Sequence, residues 1–139
     1  MPYGNDSGPL ERLNSFINNS STIVERAGAN LADPAHKAVK YDGDGNVVLA
    51  DGGEAAIGVI LSSSPDPIPQ GGQVHILVKN IGLLSAAGAI KKGDLVTINA
   101  DGQGIVATSG SFIFGRAFTD AAAAGEVVQV QINPMGVRA

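Results

Sequence analysis

The sequence has no cysteine and no tryptophan, and its aromatic residues are limited to Tyr3, Phe16, Tyr41, Phe112, Phe114 and Phe118. The first absence excludes a disulfide framework and any thiolate zinc site. The second leaves no stacking platform for bases or sugars and requires an interior packed mainly with Val, Ile, Leu and Ala. Basic residues are also few. Nine Lys and Arg stand against 13 Asp and Glu, and the densest basic pair, Lys91-Lys92, is followed at once by Gly93-Asp94. With no basic footprint for phosphate contacts, nucleic acid is not expected as a partner. A membrane is not expected either: no apolar run approaches the roughly 18 residues a spanning helix needs, and MPYGNDSGPLER lacks the charged and apolar regions of a signal peptide.

Catalytic signatures are missing in the same way. His36 and His75 carry no HxxH or HExxH spacing, the serines of SSSPDP and TSGS sit in no GxSxG elbow, and no Walker sequence is present. The glycine-rich pieces precede strand-like runs, so no helix N-terminus is placed to cradle phosphate. The expectation is a protein without catalytic residues, cofactor or metal.

What is abundant is glycine, 19 in 139 residues, dividing short runs rich in Val and Ile. From Thr22 onward these read TIVERA, HKAVKY, NVVLA, AAIGVIL, QVHILVKNIGLL, DLVTI, GIVAT, FIFGRAF and EVVQVQI. Runs of that length bounded by Gly, Pro, Asp and Asn are strand signals, and they predict an all-β domain of eight to ten short strands. Two segments share a device. YDGDGNVVLA at Tyr41 and NADGQGIVA at Asn99 each pass through Asp-Gly into an apolar strand, and a shift of 57 residues superposes Val39 on Val96, Asp44 on Asp101, Gly45 on Gly102 and Gly58 on Gly115.

The same shift carries Ala29 onto Ala86 and Ala32 onto Ala89, and after one loop-length change Gly72 falls on Gly125. Turn and core residues repeating together indicate a duplicated supersecondary unit. Asp-Gly between apolar runs predicts a type I′ hairpin, and Gly58 and Gly115, inside apolar runs, predict bulges or close backbone approaches at barrel corners. Asp42, Asp44 and Asn46 also match the first three ligand positions of a calcium loop. Val47 then stands where glycine is required and Gly53 where a bidentate Glu belongs, so the hairpin reading is preferred.

Residues 1–23 read differently from residues 24–139. The first stretch is polar and turn-rich, and its apolar periodicity is Leu10, Leu13, Phe16 and Ile17, the spacing of one helical face with Pro9 at a tolerated first-turn position. A lone helix of about ten residues is marginal. The readings are a disordered tail or, preferred because such tails rarely carry an apolar stripe, an N-terminal arm whose four apolar residues anchor on a partner or neighbouring subunit, followed by a β domain.

AIKKGDLV at Ala89 is similar to the turn of biotinyl and lipoyl carrier domains, but the hairpin tips Asp44-Gly45 and Asp101-Gly102 carry no lysine for a cofactor. Taken in order, GANLADPAHKAVKYDGDGNVVLADGGEAAIGVIL, a Val-rich strand and AGAIKKGDLVTINADGQGIVATSGSFIFGRAFTDAAAAGEVVQVQI resemble the tailed-phage capsid decoration, or capsid cement, family from about Ala27 to Pro134. The pieces that carry the resemblance are GDLVT with its following DG, the small-residue step from Gly115 to Ala117, and the closing strand from Ala124 to Ile132. It implies a small β-tulip-like barrel on the outside of the mature head, trimeric at three-fold and quasi-three-fold positions, clamping neighbouring major capsid proteins. The capsid-anchoring base of a head fibre or surface adhesin is the alternative, which the lack of a fibre-like segment after Pro134 makes the weaker expectation.

Overall fold

A computed structural model describes residues 20–139. Ten strands follow one another: β1 (Thr22–Arg26), β2 (Ala38–Tyr41), β3 (Val47–Leu49), β4 (Gly58–Ile60), β5 (Gln73–Leu77), β6 (Asn80–Ser85), β7 (Leu95–Ile98), β8 (Gly104–Val106), β9 (Gly115–Ala117) and β10 (Val127–Ile132). Among the described residues there is no helix. The run QVHILVKNIGLL is two strands, β5 and β6. The break falls at Val78-Lys79, after which Asn80 takes a left-handed φ of 74°, a conformation that Asn tolerates better than most residues.

The strands form two antiparallel five-stranded sheets, ordered β1-β5-β4-β2-β3 and β6-β10-β9-β7-β8. The second order is the first with each strand replaced by the one five places later. The expected closed barrel is not formed. In each sheet the residue after the first strand touches the last strand through one parallel bridge, Ala27 to Val47 and Ala86 to Gly104. The edge strands β3 and β8 are three residues long, too short to turn that single bridge into a ladder.

The 57-residue shift is correct for β2, β3 and β4 against β7, β8 and β9, and wrong on both sides of them. Ala27 and Ala86 occupy matching places, each accepting from a glycine N–H, that of Gly71 and that of Gly125, at 2.8 Å. Ala29 therefore does not correspond to Ala86, and Gly71 rather than Gly72 corresponds to Gly125. Likewise Val74 and Ile76 of β5 match Val128 and Val130 of β10, one residue away from the sequence alignment. A one-residue slip exchanges the faces of a strand, and only the corrected register puts buried residues on buried ones.

The hairpins also differ from the expected type. Type I′ would need positive φ at Asp44 and Asp101, but only Gly45 (81°) and Gly102 (76°) enter that region. Each loop is a three-residue turn closed by glycine. The Asp42 N–H donates to Asn46 O at 2.8 Å, and the Asn99 N–H to Gln103 O at 2.8 Å. One side-chain oxygen completes each loop: Asp42 Oδ1 accepts from the N–H groups of Asp44 (2.8 Å) and Asn46 (3.0 Å), and Asn99 Oδ1 from those of Asp101 (2.9 Å) and Gln103 (3.0 Å). The acidic residue at the head of the first loop is thus a turn cap, a role an amide fills equally well in the second.

The glycines inside strands are close approaches, as expected. A Cβ on Gly58 would overlap the Leu77 carbonyl oxygen, and one on Gly115 would overlap that of Gln131. Burial follows from these registers. One core, with Leu31, Val39, Ile60, Ile68, Val74 and Ile76, belongs to the first sheet. The larger one joins Val96, Val128 and Val130 of the second sheet to Ala38 and Val59 of the first, through Leu84, Ile98 and Phe114.

Candidate docking surface

Among the described residues β6 lies at the edge of its sheet and pairs with β10 alone. Alternation sends Gly82 and Leu84 inward and Ile81 and Leu83 outward, where they stand opposite Gln131 and Gln129. Both outward side chains are large, apolar and about half exposed, at 51% and 44%. Val127 on β10, opposite Ser85, extends the same face. On the first sheet's edge strand β1, Val24 faces out opposite His75, the place Leu83 holds opposite Gln129. Apolar side chains on the water face of an edge strand are an association hazard unless something covers them.

Beside β6 a cleft of about 170 Å³ opens between the two sheets, with Leu77, Leu61, Ser62 and His36 facing Ile81 and Leu83. That volume is below the range of about 300 Å³ and above usual for small-molecule sites, and it suits one or two side chains of a protein partner. His36 holds the sheets together here. Its carbonyl accepts from Ser85 N–H at 2.7 Å, and its own backbone is left-handed with φ 66°. The described chain begins at the same corner: Ser21 O accepts from Val78 N–H at 2.8 Å, and the Asn80 side-chain amide donates to the Ser21 hydroxyl.

The polar side chains elsewhere serve one another. Lys40 Nζ lies 3.0 Å from Asp51 and 2.9 Å from Glu54, and these hydrogen bonds, that to Glu54 first, raise its pKa. Asp51 is held below its ordinary value chiefly by the Gly53 N–H, then by Lys40. The Glu25 carboxylate accepts from the Tyr41 hydroxyl and raises the phenol's pKa. Among the described residues no group of three or more His, Asp or Glu is placed to hold a metal ion.

Leu10, Leu13, Phe16 and Ile17, the contact residues expected from sequence, lie outside the described residues. Ile81 and Leu83 were not anticipated. The signal was present in NIGLL, where apolar residues fill both parities of a strand that the structure leaves at an edge, whereas a half-solvated antiparallel strand normally alternates.

The comparisons with known proteins agree with a structural reading. No curated protein matches the chain. Among solved structures, the chain is similar to the head fibre gp8.5 N base of bacteriophage phi29, with a TM-score of 0.65 and 23% identity over 85% of this chain and 98% of that one. At that identity the likeness is one of fold. A family model described as "Structural cement protein (E217 gp24/Pam3 gp6)" matches residues 14–133, beginning within the N-terminal segment and ending just past β10. On that match the chain belongs to the phage structural cement protein family.

Proposed function

We propose that this protein binds the outer surface of the mature phage head and stabilises it by clamping neighbouring major capsid proteins. The observation that carries the reading is the family match over residues 14–133. The outward apolar residues of β6 and β1 supply a surface of suitable chemistry, and a structural task of this kind requires complementarity without catalysis. The body would be a β-tulip-like unit built by internal duplication, supported by the shared strand order of the two sheets and by the paired turn caps Asp42 and Asn99.

Assembly as a homotrimer at three-fold and quasi-three-fold positions suits a 14.0 kDa subunit. Each copy offers a modest face, and linked contacts raise the effective concentration of the next. Residues 1–23 form the arm in this scheme and 24–139 the body, with Leu10, Leu13, Phe16 and Ile17 as arm anchors. The decisive experiment is co-sedimentation with mature heads stripped of this protein, alongside light scattering of the free protein. Saturable binding in multiples of three per lattice site, with a rise in the temperature at which the heads break, is the expected result. Absence of binding would sink the reading.

A second role, the anchoring base of a head fibre, is favoured by the fold shared with the phi29 head fibre base. It predicts binding to heads with no gain in head stability.

A further inference from the structure

We propose that Asp44-Gly45, at the tip of the β2–β3 hairpin, is a site of spontaneous conversion to isoaspartate, and that the fold withholds the same reaction from the other Asp-Gly pairs of the chain. Those pairs are Asp42-Gly43, Asp51-Gly52 and Asp101-Gly102. Aspartate before glycine suits this chemistry because glycine has no Cβ to obstruct attack by its nitrogen. The Gly45 nitrogen attacks the Asp44 side-chain carboxyl in its acid form. A C–N bond forms, one carboxyl oxygen leaves as water with the acid proton and the nitrogen's proton, and a five-membered imide results. Water then opens the imide. Opening at the side-chain carbonyl restores aspartate; opening at the main-chain carbonyl routes the chain through the side-chain carbon, with one extra backbone atom and a free α-carboxylate. The water lost in the first step returns in the second, so the reaction requires only the subunit itself.

Two conditions govern the first step. The carboxyl must be free to swing onto the next nitrogen, and that nitrogen's peptide must be free to rotate. Asp42 fails the first, because its Oδ1 is held by the N–H groups of Asp44 and Asn46 at 2.8 and 3.0 Å. Asp51 fails it too: Oδ1 accepts from the Gly53 N–H and Oδ2 from Lys40 Nζ, both at 3.0 Å. At Asp101 it is the glycine that is fixed. Gly102 is buried, its carbonyl accepts from the Ala38 N–H at 2.8 Å, and a Cβ on it would lie 3.0 Å from the Ala38 carbonyl oxygen. Asp44-Gly45 meets both conditions. Both residues are exposed, no donor among the described residues meets the Asp44 carboxylate, and nothing lies within 4 Å of the Cβ position of Gly45. The Gly45 and Gly102 N–H groups are alike, each 3.4 Å from the carbonyl of its loop's first residue. The packing of Gly102 on Ala38 is therefore what separates the two copies of the turn. The extra backbone atom would enter the loop that the Asp42 N–H closes onto Asn46 O, beyond the last strand pair, Tyr41 with Val47.

The second copy of the turn serves as an internal control. Folded wild-type protein is held in warm neutral buffer for several weeks, then digested and mapped by mass spectrometry with fragmentation that places each isomer. An isoaspartyl carboxyl methyltransferase with labelled methyl donor gives the total. Isoaspartate should accumulate at residue 44 about tenfold faster than at residue 101, because reaction at a packed glycine waits on local opening. The same incubation in urea should bring the two sites within about twofold of each other, since the unfolded ensemble lacks that packing. Asp44→Ser should remove most of the methyl label that the folded protein takes up. Equal accumulation at residues 44 and 101 in the folded protein overturns the proposal. So does a label undiminished in Asp44→Ser, or no isoaspartate at residue 44 of the folded protein by the time both sites have reacted in urea.

Discussion

Asp42 and Asn99 show how one side-chain oxygen can decide a local structure. Each accepts two backbone N–H groups that would otherwise be left in a tight loop, and each does so through an oxygen that Asp and Asn both possess. Asp42→Asn should therefore leave stability almost unchanged, whereas Asp42→Ala should cost about 1–3 kcal/mol, the usual penalty for stranding such donors. Chemical denaturation of the two variants compares them, and equal losses would show that charge rather than geometry matters. Tyr41 gives a pH-dependent prediction at the same scale. Its hydroxyl donates to Glu25, which raises the phenol's pKa from its ordinary 10.0. A raised folded-state pKa means that the contribution to stability is complete below about pH 10 and is lost as pH climbs through the folded value. In a Tyr3→Phe background, ultraviolet titration should find Tyr41 ionising later than a free phenol, and Glu25→Gln should move it back down.

At the scale of strands and turns, Gly115 tests whether the β9–β10 pair depends on a missing side chain. A Cβ there would overlap the Gln131 carbonyl and meet Val130 Cγ1 at 2.9 Å, so Gly115→Ala should destabilise by about 1–3 kcal/mol, as overpacking does. Gly88 has nothing within 4 Å of the corresponding position and no positive φ, so Gly88→Ala should be neutral or slightly stabilising. Thermal melts of the two variants should separate clearly. These elements were largely legible in the sequence, because Gly, Asp and Asn mark where each run ends and because Gly58 and Gly115 interrupt apolar runs that offer no other reason for glycine. The boundary between β5 and β6 was not, since Val78-Lys79-Asn80 contains no Gly or Pro and the left-handed turn is carried by Asn80. Nor was the register of the outer strands. Loop lengths around Ala27 and Ala86 differ by two residues, and a count along the sequence sees only the total. Ile81 and Leu83 were not legible as surface residues because hydropathy does not say whether a strand is central or at an edge.

Across the whole molecule, the two sheets share strand order yet differ in how their interiors are filled, and the difference makes them one cooperative body. Ile60 and Ile68 in the first core have Ala117 and Ala121 at the matching places in the second. The space this leaves is taken up from elsewhere. Leu84 packs so closely on Gly104 that a Cβ there would come within 2.6 Å of Leu84 Cδ2, and Phe114, the only buried aromatic ring among the described residues, joins a cluster that includes Ala38, Ala50, Ala56 and Val59 of the first half. The second sheet cannot complete its interior without the first. Unfolding in urea should therefore follow a single transition, coincident by circular dichroism and by tyrosine fluorescence, as all-or-none domains of this size do. Phe114→Ala, with a ring only 2% exposed, should lower stability by about 3–5 kcal/mol. It should also reduce hydrogen-exchange protection at Val39 and Ile60 along with that at Val96 and Val128. Loss confined to the second sheet, or two resolved transitions, would mean that the halves fold independently and that the shared cluster is an interface rather than a core.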